Sequence, residues 1–406
     1  MRKLVVATSF PVYPGYGGGQ RRILGLYAAM ASLGIAVDLV GLVDRGQRGG
    51  VREIAPGLRE LSVPRTRAHH DEESALYRRA GVPVSDVALA LHADLTPAYG
   101  DALEEAARGA AAVVASHPFA QPAIAAACPE LALIYESHNV ELDLKTAMYA
   151  ESEARDKLLE AVRGVEAACC AQADHVIVCS EEDGARLGGL YGLECDRSVV
   201  VPNGIDPGSM RFAALEERGA RKARLGLGDS FQALFLGSWH EPNLAAVRDV
   251  LRAAVELPDV RFLVVGSAGL PFCDDPAPAN VDFCGVVQAG FVRSVLGIVD
   301  AALNPMRWGS GTNLKMLDYA VAGVPLVSSV FGARGLDLEA DRHYLPVDSD
   351  ALATGLRALR SEPAGPTASR ARAAREHVED RFAWSTIARR WYEHPLLREL
   401  LDGVPA

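Results

Sequence analysis

LVVATSFPVYPGYGGGQRRILGLYAAMASLGIAVDLVGLV, residues 4–43, carries the reading of the fold. Residues 4–10 form an apolar run with the length of a buried strand. Residues 11–19 are rich in glycine and proline and read as a turn. From Gln20 a helical pattern begins, with Ile23, Leu24, Tyr27, Met30 and Ala31 on one side, and it stops at Gly34. Residues 36–43 supply the next strand. Strand, glycine loop, helix and strand in that order open a doubly wound α/β domain.

The alternation runs on from there. The sequence predicts strands at 112–116, 131–135, 175–179 and 199–202, and one long helical stretch at 147–173. Ser180-Glu181-Glu182-Asp183 fits a capping-box helix start. Segment 65–95 is weakly patterned and has no element assigned. After about residue 205 the rhythm restarts, with strands expected at 233–237, 261–266, 281–287, 301–305 and 325–329. Helices are expected at 243–256, 291–299 and 313–322, and the run 210–229 between the halves is polar. Two similar halves imply two facing Rossmann-like domains, 1–205 and 206–383, with a cleft between them. The tail 384–401 has helical spacing at Trp384, Ile387, Trp391 and Leu396 or Leu397, and is expected to pack back on the first domain.

Composition narrows the function classes. The 406 residues carry 41 Lys and Arg against 52 Asp and Glu, a net charge of −11, which argues against non-specific nucleic-acid binding. No stretch approaches the ~20 apolar residues of a membrane span, and the run at residues 4–7 is too short for a signal-peptide core. Seven cysteines without C-x-x-C spacing read as reduced thiols rather than a disulfide framework or zinc site. The expected location is cytoplasmic. Asp71-Glu72-Glu73 and Asp274-Asp275 read as solvated acids in loops, and no metal site is expected.

Chemistry concentrates in NPMRWGSGTNLKMLDYAVAGVPLVSSVFGARGL, residues 304–336. A strand ends at Pro305, a glycine turn follows, and a helix starts near Thr312 and Asn313, both able to cap. A helix start offers unpaired N–H groups and the positive end of the dipole. Gly309 and Gly311 allow close backbone approach. Lys315 adds a full positive charge in the first turn, where the dipole alone would prefer an acid, so a phosphate there makes sense of it. Asp318, one turn on, can accept from a ribose hydroxyl pair. The plainer alternative is a solvated Lys315–Asp318 pair worth tenths of a kcal/mol.

In order and spacing these segments resemble the retaining glycosyltransferases of family four, which have the GT-B fold and use nucleotide-sugar donors. The resemblance spans PGYGGGQRR, YESHNVE (135–141), HVIVCSEED (175–183), VPNGID (201–206), FLGSWHEPN (235–243), VDFCGVV (281–287) and GSGTNLKMLDYAVAGVPLVSS. It implies that Gly17, Gly18 and Gly19 form the loop approached by the donor diphosphate and the acceptor. It also implies that His138 lies beside the transferred sugar; from the residues alone, a lone histidine at a strand end is more often structural. Asp318 matches the second acid of the family's E-x7-E motif and would hold the ribose. Ser310, Gly311, Thr312, Asn313 and Lys315 match the turn and helix start near the donor phosphates.

The chain departs from the family at two places. Ser310 stands where many members carry the first glutamate, so backbone N–H groups of the 309–312 turn would meet the donor sugar. The arginine and lysine that many relatives carry after the strand at 233–237 are missing, leaving Lys315, Arg21, Arg22 or Arg307 as substitutes. His117, in ASHPF, has both a site reading and a scaffold reading. The resemblance implies a nucleotide-sugar donor, UDP-sugar before GDP- or dTDP-sugar, and a small-molecule or glycan-precursor acceptor. It implies no cofactor and no essential metal, and it indicates no membrane docking. An epimerase on the same fold and a cytosolic sugar-nucleotide-binding protein are the competing readings.

Overall fold

The computed structural model describes residues 2–309 and 312–402. They divide into two compact units, one holding the chain to Gly204 together with the segment from Trp384 onward, the other holding Ile205–Ala383.

The first unit is built on β1 (Lys3–Thr8), β2 (Ala36–Val43), β3 (Gly50–Ala55), β4 (Leu58–Pro64), β5 (Ala112–Ser116), β6 (Ala132–Glu136), β7 (His175–Val178) and β8 (Ser198–Val200). The sheet order is β3-β4-β2-β1-β5-β6-β7-β8. All neighbours are parallel except the β3–β4 hairpin. The central strands read as continuous apolar runs because helices cover both faces. Val5, Ala7, Val40 and Val113 enter one core. Leu4, Val6, Leu39 and Val114 enter the other. β1 has β2 on one side and β5 on the other, so the strand order reverses there and the carboxyl ends open a crevice.

The C-terminal segment closes the second of these cores. Trp384, Ile387, Ala388, Trp391, Leu397 and Leu401 all join it. Gly25 makes room for the return: a Cβ at that position would run into the Trp384 indole.

The second unit carries β9 (Phe231–Leu236), β10 (Val260–Val265), β11 (Val281–Gly285), β12 (Ala301–Asn304), β13 (Leu326–Ser328) and β14 (Leu345–Pro346). All are parallel, in the order β11-β10-β9-β12-β13-β14. In chain order that is 3-2-1-4-5-6, the Rossmann arrangement, with its switch point between β9 and β12.

Several local expectations are corrected. The stretch 147–173 is two helices, Glu141–Met148 and Glu153–Gln172. The break is set by Ser152, whose backbone is extended and whose hydroxyl accepts from the Arg155 N–H. Segment 65–95 holds helices Arg67–Ala80 and Ser85–His92. The first buries only His69, so it shows no apolar stripe. Asp71, Glu72 and Glu73 lie on that helix rather than in a loop. The polar run 210–229 contains helix Leu215–Arg224. Its Arg218 is buried and donates to the carbonyls of Ala213, Val299, Leu296 and Ala322. The tail is two helices, Trp384–Glu393 and Pro395–Asp402. Among the described residues, no helix is long and apolar enough to cross a membrane.

Candidate active site

In the first unit, polar side chains gather where β1, β5 and β6 end. Helix Gly18–Ser32 begins at the glycine loop, and Gln20 organises that loop. Its Oε1 accepts from the N–H groups of Gly17 at 2.9 Å and Tyr16 at 3.1 Å, and its Nε2 donates to the Pro11 carbonyl at 2.7 Å. Gly18 and Gly19 open the helix, so their N–H groups have no acceptor within it. A Cβ on Gly19 would sit 3.6 Å from both His117 Cε1 and His138 Nδ1, and 3.7 Å from Phe10 Cζ. The loop therefore lies against a pair of stacked imidazoles, with ring centroids 3.9 Å apart. His117 is held at φ 65, a region few non-glycine residues adopt. Its Nδ1 is buried without a hydrogen-bond partner.

Below these rings lies Glu136, fully buried at the end of β6. Its Oε1 accepts from Arg22 Nε at 2.9 Å. Its Oε2 accepts from the hydroxyls of Tyr27 and Ser116, each at 3.0 Å. Ser116 Oγ also lies 3.0 Å from His138 Nε2. Burial favours the neutral carboxyl, but His138, Arg22 and the Ser116 hydroxyl outweigh it and hold Glu136 well below the usual carboxylate range. Burial, and next the His117 ring, push His138 down to about 3, so the imidazole is neutral at physiological pH. Sequence reasoning missed Glu136 and Ser116 as members of this site. The available signal was a carboxylate closing an apolar strand, where a charge persists only if paired.

In the second unit the candidates sit at the switch point. Gly309, after β12, has φ 140, which only glycine adopts without strain. Helix Leu314–Ala322 follows with Asn313 at its N-cap. Asn313 does not cap with its side chain; Nδ2 donates instead to the Gly332 carbonyl at 3.0 Å. Asn304 Nδ2 donates to the same oxygen at 2.9 Å, which ties the turn to the loop after β13. Lys315 is half-buried, with Nζ 4.2 Å from the centre of the Phe235 ring and 2.8 Å from Asn243 Oδ1. Asn243 Nδ2 in turn donates to the Ser238 carbonyl at 3.0 Å. Among the described residues no carboxylate forms an ion pair with Lys315 in the structure, and desolvation lowers it to about 7. Asp318 is 9% exposed, one turn further along the helix.

The other cations are committed differently. Arg307 donates to Asp249 through Nη2 at 2.8 Å and Nε at 3.1 Å. Arg22 is spent on Glu136 inside the first unit. Ser310 and Gly311 lie outside the described residues. Gly17, Gly18, Gly19, His117 and His138 thus fall in one group, and Thr312, Asn313, Lys315 and Asp318 share one helix start. Among the described residues, no group of three or more His, Cys, Asp or Glu is arranged to hold a metal ion.

Comparison with known proteins bears on both units. The family described as Glycosyltransferase Family 4 matches residues 16–209, and that described as Glycosyl transferases group 1 matches residues 230–362. A glycogen synthase from Mycobacterium tuberculosis is 27% identical over 240 residues, 56% of this chain. The chain spans 55% of the length of that relative. Sucrose-phosphate synthase from Thermosynechococcus elongatus superposes with a TM-score of 0.75 at 17% identity, covering 99% of this chain and 100% of that one. HepE from Anabaena, solved with UDP-glucose, gives 0.68 at 15%, covering 98% of this chain and 99% of that one. At these identities the two structures speak to fold.

Proposed function

The chain belongs to the family-four, group 1 glycosyltransferases, with their GT-B fold, and from that premise we propose that it moves a sugar from a nucleoside-diphosphate sugar to an acceptor hydroxyl or thiol. The second unit binds the donor and the first binds the acceptor, a small molecule or glycan precursor of natural-product or cell-envelope biosynthesis. UDP-sugars are the donors to try first, since the structural neighbour HepE was solved with UDP-glucose.

The observation that carries this reading is Lys315. An ammonium without a carboxylate partner among the described residues, at the first turn of a glycine-introduced helix on the switch-point edge, matches the charge of a departing diphosphate. As the bond between the sugar and the phosphate breaks, negative charge grows on the leaving oxygen. Lys315 and the helix N–H groups stabilise that charge without a divalent metal. The acceptor attacks on the face the phosphate leaves, and the phosphate takes the acceptor proton, so configuration is retained and no enzymic nucleophile is needed. Asp318 holds the ribose, and His138 meets the transferred sugar.

A panel of UDP-, GDP- and dTDP-sugars, with and without EDTA, tests this by binding and by slow hydrolysis in the absence of acceptor. Hydrolysis that survives chelation supports a metal-independent transferase. An epimerised nucleotide sugar, or binding without turnover, overturns it.

A further inference from the structure

The hydrogen bonds beneath His138 have a direction, and the direction fixes which nitrogen carries the proton. Ionised Glu136 can only accept. Ser116 has one hydroxyl proton, and it is given to Glu136 Oε2 at 3.0 Å. Toward the imidazole, Ser116 Oγ therefore has only a lone pair to offer. The 3.0 Å contact to His138 Nε2 is then an Nε2–H donating to Ser116. The neutral ring keeps its free lone pair on Nδ1, the atom beside Gly19.

We propose that Ser116 and Glu136 are positioning residues: they hold His138 as the Nε2–H tautomer, so that Nδ1 is presented at the glycine loop as a hydrogen-bond acceptor. The buried Arg22–Glu136 ion pair and the Tyr27 hydroxyl keep Glu136 charged and oriented, which keeps the relay pointing one way. Glu136 Oε1, which only accepts, also lies 3.5 Å from Nε2 and favours the same tautomer. The other groups around His138 are His117 on its ring face and the Cys179 thiol, which donates to its backbone carbonyl. Neither competes for Nε2. An Nδ1 acceptor selects a ligand that donates, namely a hydroxyl of the sugar, and turns away from phosphate oxygens, which only accept. The inference rests on the transferase reading above for what His138 touches, while the tautomer itself is a property of the protein without ligand.

Two variants test it. In Ser116→Ala the link through the hydroxyl is removed and Nε2 keeps only its longer 3.5 Å contact to Glu136 Oε1. In Glu136→Gln an amide N–H replaces Oε2 and reverses the donor direction toward Ser116. The ring nitrogens of His138 are read by nitrogen-15 NMR on histidine-labelled protein, and kcat and KM by hydrolysis of UDP-glucose. The expected results are an Nε2–H signal in the wild type, a mixed tautomer in Ser116→Ala and an Nδ1–H signal in Glu136→Gln. Loss of one oriented hydrogen bond should lower kcat about tenfold in Ser116→Ala with KM and Tm near the wild-type values. An Nδ1–H wild type, or a Ser116→Ala enzyme with unchanged kcat, overturns the proposal. A wild type inert toward every donor overturns the transferase reading and the relay's role with it. That case is distinguished by the silence of the wild type rather than of the variant.

Discussion

Donor binding should become steeply pH-dependent above neutrality, and Lys315 should be the reason. Desolvation brings the free ammonium down to about 7. A bound diphosphate favours the charged form and raises the group again. Between the two values the protein must take up a proton to bind, so affinity falls as pH rises. The slope is tenfold per pH unit, and each unit corresponds to about 1.36 kcal/mol. At pH 9 about 1% of the free protein has Lys315 charged, which predicts roughly hundredfold weaker binding than at pH 6. That agrees with the ~1.5–3 kcal/mol expected of a charge-assisted contact to phosphate. Burial also holds His240, which lies near Lys315, below the ordinary histidine value, so its titration lies toward the acid end of the range, away from the basic limb that reports Lys315.

Titration calorimetry with UDP-glucose measures this directly. Its diphosphate is capped at both ends, so the phosphates do not titrate over the range, and any ionisation of the uracil base is common to the wild type and the Lys315 variant. Runs at one pH in buffers of different ionisation enthalpy should report uptake approaching one proton near pH 8–9. Lys315→Met should bind ten- to hundredfold more weakly at pH 6, with an affinity that no longer changes up to pH 9. A flat wild-type profile, or the same slope in Lys315→Met, would refute the phosphate role.

Asp318→Asn should weaken UDP binding, and a 2′-deoxyuridine donor should lose little further affinity in that variant; losses that simply add would remove the ribose role. His138→Ala should lower kcat for donor hydrolysis far more than it raises KM, whereas normal kcat with a lowered Tm would return the residue to the scaffold. Gly25→Ala should destabilise the first unit by about 1–3 kcal/mol in urea unfolding, because the new methyl meets the Trp384 indole and this outweighs the helix-propensity gain of alanine. Equal or greater stability would show that the C-terminal helix does not depend on that contact.

What the sequence could tell about the site depended on how far apart the cooperating residues lie. The glycine loop and its helix are read from one window, because strand, turn and helix follow each other without interruption. His138 stands out at the end of a recognisable strand. Its support does not, since Ser116 and Glu136 are register partners on β5 and β6, and only strand pairing brings them side by side. The cations teach the same lesson in reverse. From sequence Arg22 and Arg307, like Arg21, stand beside Lys315 as positive charges near glycine turns, and only Lys315 is marked out by its helix start. The fold supplies a carboxylate to the first two, Glu136 and Asp249, from 114 and 58 residues away. Lys315 instead meets an aromatic face and an amide oxygen. A charge desolvated against groups that only partly compensate it is the one that gains most from an incoming anion, because the cost of taking it out of water is already met in the free protein. On the proposed reading, which cation meets the donor depends on where the acids are, a property of the tertiary fold, as well as on the local motif.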